Sequence, residues 1–197
     1  MILLDGKNIS QHKFKELPQF CLKNIDNELI SNEQACENHD GILVMFICNH
    51  CPYVKAIAKN IAQDAHDLLK NLNIASIAIN ANDPDYNSED SFENMIEFHR
   101  QNNFSFPYLF DETQEVAKTF DAVCTPDFFL FMKNDENQKF ILSHKGRLND
   151  FIYTKSGTQT SENQQIQREL YHIAEYLVGK NKPSMGCSIK WKEETKI

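Results

Sequence analysis

Two short apolar runs separated by a long helical pattern dominate the first half of the chain. The run 42–47 is uninterrupted and partly β-branched, which is typical of a strand covered on both faces. From Pro52 to Leu72 the apolar residues recur at helical spacing, and proline suits the first turn of a helix because its missing N–H has no partner there. The second run, 74–79, predicts another buried strand, so the pattern predicts a strand-helix-strand unit.

Weaker patterns predict smaller elements around this unit. Residues 18–30 alternate loosely around Asp26-Asn27 and predict an N-terminal hairpin. The other predicted elements are a helix over 91–101, a strand over 106–110, a helix up to Phe120 capped by Asp111 and Gln114, strands over 128–132 and 139–144, and a last helix over 163–178. This order predicts an α/β sandwich around one mixed sheet, flanked by helices.

We predict one domain over residues 1–179, including the hairpin, followed by a C-terminal tail over 180–197. The tail holds the only tryptophan, Trp191, and one cysteine. Because a tail rarely keeps an aromatic residue without packing it, we expect the tail to dock on the domain through Trp191.

Composition excludes several classes of protein. Among 197 residues, 41% are hydrophobic and 14 are Phe, which excludes wholesale disorder. An excess of 28 acidic over 20 basic residues disfavours a nucleic-acid partner. There is no apolar run of the roughly 18 to 20 residues that a membrane span needs, so no membrane partner is predicted. The N-terminus does not have the pattern of a signal peptide, so we expect a cytoplasmic protein.

The six cysteines carry the candidate chemistry. In a chain of this length without an export signal, they favour reduced, metal-bound or catalytic thiols over a disulfide framework. Cys48 and Cys51 flank Asn49-His50 where the first predicted strand meets the long helix, and this spacing allows a small disulfide ring. A helix N-terminus and a protonated His50 both favour a thiolate. We predict Cys48, at the exposed start, as the nucleophile and Cys51 as the resolving thiol.

A metal site is the alternative interpretation of the same residues. Cys48, His50 and Cys51 could form half of a zinc site, but the sequence has no second Cys-x-x-Cys or His pair to complete it. Cys124, Cys187 or a distant histidine could supply the other ligands only through folding. We predict neither a metal nor another cofactor, and a metal-binding module stays the alternative of a different class.

Several longer motifs resemble those of a known family over nearly the whole chain. They resemble an uncharacterised group of peroxiredoxin-like thioredoxin-family proteins, which are related to alkyl hydroperoxide reductase and thiol-specific antioxidant. The motifs are Phe-Ile-Cys-Asn-His-Cys-Pro-Tyr-Val at 46–54, the segments 106–118 and 123–130, Gly-Arg-Leu at 146–148, and 183–191. The resemblance implies a thioredoxin-like three-layer sandwich with an N-terminal hairpin and an inserted helix-strand segment, and thiol-disulfide or antioxidant activity.

The motif departs from the family at two places. Thioredoxins place Trp before the first cysteine and Gly-Pro between the pair, whereas here Ile47 precedes and Asn49-His50 intervenes. Peroxiredoxins place Thr or Ser three positions before the peroxide-attacking cysteine, and here that position is Met45. The second departure argues against efficient peroxide reduction.

The resemblance also implies roles for residues far from the pair. It implies that Pro126, after Thr125, is cis and faces the two cysteines, shaping a groove for a substrate strand. Cys124 would then lie near the pair, with a small buried core residue as the alternative. Arg147 could neutralise a thiolate or an anionic substrate, or be a surface residue. Cys187 is either a further exchange thiol or a structural residue, and its position in the tail slightly favours the structural role.

These observations lead to one main hypothesis and one alternative within the enzymes. The main hypothesis is a thiol-disulfide oxidoreductase in redox homeostasis or antioxidant defence, in which Cys48 attacks a substrate disulfide and Cys51 resolves the mixed disulfide. The alternative is a peroxiredoxin-like thiol peroxidase. The expected partners are a protein or small-molecule disulfide and an unidentified reducing partner.

Overall fold

The computed structural model describes residues 2–3, 13–146 and 184–192. The strands are β1 Ile2–Leu3, β2 Cys21–Asn24, β3 Leu29–Ser31, β4 Gly41–Phe46, β5 Ile74–Asn80, β6 Tyr108–Phe110, β7 Cys124–Thr125, β8 Asp127–Lys133, β9 Phe140–Gly146 and β10 Met185–Ser188. The helices are α1 Asn32–Cys36, α2 Pro52–Leu72, α3 Phe92–Gln101 and α4 Glu115–Thr119, with a 3₁₀ turn at Ser88–Asp90. No helix among these residues is long and apolar enough to cross a membrane.

The main sheet is mixed and has the strand order β3-β2-β6-β5-β4-β8-β9. The apolar run that forms β4 lies inside it, parallel to β5 and antiparallel to β8. Because parallel neighbours need a crossover connection, α2 joins β4 to β5 across one face. The predicted hairpin is formed by β2 and β3, which pair antiparallel around Asn27 at φ 71°.

Helices cover both faces of the sheet, which makes three layers. Along β4 the side chains alternate: Leu43 and Met45 pack with α2 and α3, whereas Val44 and Phe46 pack with α1 and α4. Every residue of β4 is buried, which explains why its sequence is continuously apolar rather than alternating. The mixed α/β sandwich flanked by helices, predicted from the sequence, is therefore confirmed.

The start of α4 differs from its predicted cap. The N-cap is Gln114, which has φ 63°, and its side chain does not cap the helix. The Asp111 carboxylate instead accepts the N–H of Ala117 at 2.8 Å. The last predicted helix, 163–178, and the predicted domain boundary after residue 179 lie outside the described residues.

The described part of the tail packs on the domain, but not through its tryptophan. Trp191 is 39% exposed, so the prediction that it docks the tail is wrong. Ile189 is the apolar anchor and is only 3% exposed within the core cluster that contains α4. The side chain of Gln114 binds the residues that follow Ile189. Its amide N–H donates to the Lys190 carbonyl at 2.8 Å, and its amide oxygen accepts the Lys192 N–H at 2.7 Å.

Candidate active site

The two cysteines of the motif lie in a non-helical loop between β4 and α2. Cys51 is the N-cap of α2, and Cys48 lies three residues before it. The sequence predicts an exposed Cys48 at the helix start, but both sulfur-bearing side chains are fully buried. The physical reason is that β7 packs against Cys48 through Thr125, and Cys187 of β10 packs on the same cluster. All six cysteines lie within the described residues and are free thiols.

Thr125 contacts both sulfurs. Its hydroxyl lies 3.1 Å from Cys48 Sγ, and its carbonyl oxygen lies 3.2 Å from Cys51 Sγ. The peptide bond from Thr125 to Pro126 is cis, as the family resemblance implies. The structure therefore brings the two cysteines together with Thr125 and Pro126. The contact between Cys48 and Thr125 joins residues that are 77 positions apart in the sequence.

A buried carboxylate that the sequence did not single out holds the loop. Asp90 Oδ1 accepts the backbone N–H groups of Asn49 at 2.8 Å and His50 at 3.1 Å. Its other oxygen lies 2.5 Å from His50 Nδ1 and accepts the Asn82 side-chain amide at 2.8 Å. Burial raises the pKa of Asp90, but the hydrogen bonds from His50 and Asn82 outweigh it and hold this pKa below its ordinary value.

Asn49 is a second anchor of the loop. Its side-chain amide donates to the Glu89 carbonyl at 2.9 Å, and its side-chain oxygen accepts the Tyr108 hydroxyl at 2.9 Å. Tyr108 is completely buried in β6, and Glu89 belongs to the 3₁₀ turn. The residues between the two cysteines therefore fix the loop to two other parts of the fold, the 3₁₀ turn and β6.

His50 stands between the carboxylate and the first sulfur. Its Nδ1 lies 3.8 Å from Cys48 Sγ and is also the atom that meets Asp90. The possible ligand atoms of Cys48, His50 and Asp90 all lie within 4.8 Å of one another. This trio differs from the predicted set of Cys48, His50 and Cys51. A metal ion there would displace the hydrogen bonds to Asp90, whose two oxygens each already accept protein donors.

Cys51 is the better placed of the two sulfurs to carry a negative charge in this arrangement. The hydrogen bond from the Cys48 thiol has the largest effect and lowers the pKa of Cys51 to about 5, although burial acts in the opposite direction. The backbone of Val54, in the first turn of α2, and the backbone and side chain of Cys187 add hydrogen bonds to the same sulfur.

The environment of Cys48 has the opposite effect. Burial, the hydrogen bond to Cys51 and the Asp90 charge all raise the pKa of Cys48 well above its ordinary value, and the Thr125 hydroxyl opposes them. The shared proton therefore rests on Cys48. When the proton moves to Cys51, that thiol can donate to the Thr125 carbonyl, so both proton positions have a hydrogen-bond partner.

Comparison with known proteins agrees with this geometry. The sequence profile described as the AhpC/TSA family matches residues 14–151. The chain belongs to the AhpC/TSA family. A solved structure of an uncharacterized conserved protein from Geobacillus kaustophilus is 35% identical, covers 98% of this chain and 95% of its own, and has a TM-score of 0.74. A hypothetical protein from Sinorhizobium meliloti 1021 is 28% identical over 96% and 100% of the two chains, with a TM-score of 0.80.

More distant structures share the thioredoxin-like fold of this AhpC/TSA-family chain. A thiol:disulfide interchange protein of the thioredoxin family from Chlorobium tepidum is 12% identical over 87% and 99% of the two chains, with a TM-score of 0.55. Among curated proteins, none matches this chain significantly. The comparisons therefore establish the peroxiredoxin-like family and the thioredoxin-like fold.

The accessory candidates have different surroundings in this AhpC/TSA-family structure. Cys124 is completely buried, burial raises its pKa, and its thiol donates to the Pro126 carbonyl at 3.8 Å. These features favour the alternative of a small core residue. Cys187 lies beside Cys51, directly opposite Thr125 in the strand pair. Arg147 lies outside the described residues.

Asp127 is a buried acid next to Pro126. It lies in the segment 123–130 that carries the family resemblance, but its position beside an apolar strand predicts no role for its side chain. It accepts a hydrogen bond from the Ser184 hydroxyl of the tail. Burial raises its pKa to about 6, and the positive charge of Lys145 opposes this shift. Between about pH 4, where an unfolded aspartate titrates, and pH 6, the folded protein retains a proton that the unfolded chain has lost. The free energy of unfolding therefore falls as the pH rises through this window.

Replacing Asp127 with asparagine is expected to remove this pH-dependent penalty. Asparagine keeps the acceptor for Ser184 but never ionises, so the free energy of unfolding at pH 7 should rise by up to about 3 kcal/mol relative to wild type. At pH 4 the two proteins should be nearly equal in stability. Urea denaturation at both pH values measures this, and an equal loss of stability at both would contradict the burial argument.

Proposed function

We propose that this AhpC/TSA-family protein is a thiol-disulfide oxidoreductase that uses Cys48 and Cys51 through a mixed disulfide. The observation that carries the proposal is the position of the two sulfurs, which lie at the N-terminus of α2 and both contact Thr125. A low pKa for one thiol of such a pair provides the thiolate that exchange requires.

The proposed reaction begins with transfer of the shared proton from Cys48 to Cys51. The Thr125 hydroxyl, 3.1 Å away, then donates to the Cys48 thiolate, and His50 Nδ1 lies 3.8 Å from it. Because Cys48 is completely buried in this arrangement, the substrate reaches it only after β7 and β10, which cover it, move apart. Cys48 then attacks one sulfur of the substrate disulfide, and the other substrate sulfur leaves as a thiolate that takes up a proton. Cys51 loses its proton and attacks Cys48 Sγ, which releases the second substrate thiol and forms the Cys48–Cys51 disulfide.

This cycle reduces the substrate by two electrons and oxidises the pair by two. An external dithiol must then reduce the pair again, and we propose a protein or small-molecule disulfide as the substrate. We propose that this activity serves redox homeostasis or antioxidant defence in the cytoplasm; the family match over residues 14–151 supports the redox role.

A disulfide-exchange assay tests the proposal. Reduced wild-type protein with excess dithiothreitol is expected to accelerate the reduction of a protein disulfide such as insulin above the rate with dithiothreitol alone. Stepwise oxidation followed by peptide mass spectrometry is expected to give the Cys48–Cys51 disulfide first. Tight uptake of zinc or copper by a protein that catalyses no exchange would instead support the metal-binding module.

One observation favours a thiol peroxidase as the second candidate. The sequence lacks a hydroxyl residue three positions before Cys48, but the structure supplies the Thr125 hydroxyl beside that sulfur from β7. Stopped-flow mixing with hydrogen peroxide measures this activity. Oxidation of Cys48 no faster than that of free cysteine would eliminate the peroxidase.

A further inference from the structure

The tail places a third cysteine in the candidate active site. Strand β10 pairs antiparallel with β7, and Cys187 lies directly opposite Thr125, the residue that contacts both sulfurs of the pair. Cys187 packs against the core cluster that contains Cys48 and Cys51, and its side chain and backbone form hydrogen bonds with Cys51. Cys51 therefore has a sulfur neighbour on two sides, Cys48 and Cys187.

The fold holds this strand in place on both sides of Cys187. On one side, the Ser184 hydroxyl donates to the buried Asp127 carboxylate. On the other, the Ile189 N–H donates to the Val123 carbonyl at 3.0 Å, and the Lys190 N–H donates to the Asn82 side chain at 2.9 Å.

The strand also approaches β7 very closely. A Cβ atom at Gly186 would lie only 2.0 Å from the Thr125 carbonyl oxygen. Only glycine fits this approach, so the residue before Cys187 is part of what brings the third sulfur to the site.

The three sulfurs differ in their access to solvent. Cys48 and Cys51 are completely buried, whereas Cys187 is partly exposed. Of the three residues, Cys187 is therefore the one with surface open to a thiol arriving from solution. A disulfide between Cys48 and Cys51 in this arrangement would be hidden from the same thiol.

We propose that Cys187 is a third exchange thiol, which takes the disulfide from the buried pair and presents it to an external dithiol reductant. This inference rests on the proposed function of Cys48 and Cys51. Cys187 attacks Cys51 Sγ, so the Cys51–Cys187 bond forms, the Cys48–Cys51 bond breaks, and the proton of Cys187 passes to Cys48. This exchange involves no net oxidation or reduction.

The external dithiol completes the cycle. Its thiolate attacks Cys187 Sγ, and Cys51 leaves as a thiolate. The second thiol of the reductant then displaces Cys187, which regains a proton, and the reductant departs as a disulfide. Two electrons pass from the dithiol to the protein, which returns to its three free thiols.

The charges around the site agree with both steps. Cys51, whose pKa is lowered to about 5, is a good leaving thiolate. Burial and then the Cys51 charge raise the pKa of Cys187 to about 11, while Lys190 opposes them. Once Cys51 is in a disulfide it has no charge, so the contribution of Cys51 to this rise disappears and Cys187 becomes a better nucleophile in the state that needs it.

Trapping the second disulfide tests the inference. Full-length Cys48→Ser protein, oxidised with one equivalent of diamide and mapped by mass spectrometry without reduction, is expected to form mainly Cys51–Cys187. Adding Gly186→Ala to this variant keeps Cys51 and Cys187 but displaces β10, and should lower the yield at least tenfold. Free Cys51, or Cys51 joined mainly to another cysteine such as Cys124, would overturn the inference.

A kinetic measurement separates this inference from the proposed function. The oxidised pair in Cys187→Ser and Cys187→Ala proteins should be reduced by dithiothreitol at least tenfold more slowly than in wild type, with Cys21→Ser, a change at an exposed cysteine, as the control. Unchanged rates in both variants would overturn the relay and leave the pair as the active site. Failure of wild type to form Cys48–Cys51 at all would overturn the proposed function.

Discussion

Cys48→Ser protein is expected to lose catalysed disulfide reduction, with kcat/KM falling by about three orders of magnitude or more, because a serine hydroxyl forms no mixed disulfide under these conditions. Serine keeps the size of the side chain and can still form a hydrogen bond with Thr125, which lies 3.1 Å from the sulfur. The fold should therefore survive, and the insulin reduction assay reports the loss of the nucleophile rather than unfolding.

Replacing Cys51 should give a different failure from replacing Cys48. In Cys51→Ser the first attack can proceed but the resolving thiol is missing, so a mixed disulfide between Cys48 and the substrate should accumulate and be detectable by mass spectrometry. Cys21→Ser serves as the matched control, because Cys21 is exposed on β2, and should retain full activity.

For the first of these two variants, wild-type activity in Cys48→Ser would show that the exchange site lies elsewhere.

The elements with strong local patterns could be predicted from sequence. The bounds of α2, Pro52–Leu72, agree with the prediction because an apolar stripe marks its buried face and proline marks its start. The two-residue strand β7 and its partner β10 were missed, since so short a strand has no periodicity and its pairing joins residues about 60 positions apart. Tertiary contacts alone define these two strands.

In the site, too, residues in local sequence patterns could be predicted, whereas residues joined only by tertiary contacts could not. The Cys-x-x-Cys spacing is local and identified Cys48 and Cys51, and the family resemblance identified Pro126. The role of Asp90 was not predictable, because it lies 40 residues from His50 and joins the site only when the 3₁₀ turn packs against the loop. The burial of Cys48 could not be predicted for the same reason, since it depends on tertiary contacts made by β7 and the tail.

Asp90→Asn is expected to have the largest effect on the stability of the site. The carboxylate is completely buried and accepts N–H groups from Asn49, His50 and Asn82. An asparagine amide would turn an N–H donor toward some of these donors and would remove the charge that faces His50. Replacing the buried carboxylate, and so leaving some of these buried donors without an acceptor, should cost about 3 kcal/mol at pH 7.

The pH dependence of this loss follows from the lowered pKa of Asp90. A carboxyl group whose pKa is lower in the folded state stabilises the protein above its unfolded pKa of about 4, and that contribution is lost as the pH falls through the folded pKa. The difference in stability between wild type and Asp90→Asn should therefore be full at pH 7 and shrink below about pH 4. Urea denaturation over this range measures it.

The matched control is Asp85→Asn, which changes an exposed aspartate in the segment between β5 and the 3₁₀ turn that contains Asp90. It should alter stability by less than about 0.5 kcal/mol. Because the Asp90 charge raises the pKa of Cys48, Asp90→Asn should also move the acidic limb of the activity profile to lower pH. If Asp90→Asn matched Asp85→Asn in stability and left that limb in place, the carboxylate would neither hold the loop nor tune the first sulfur.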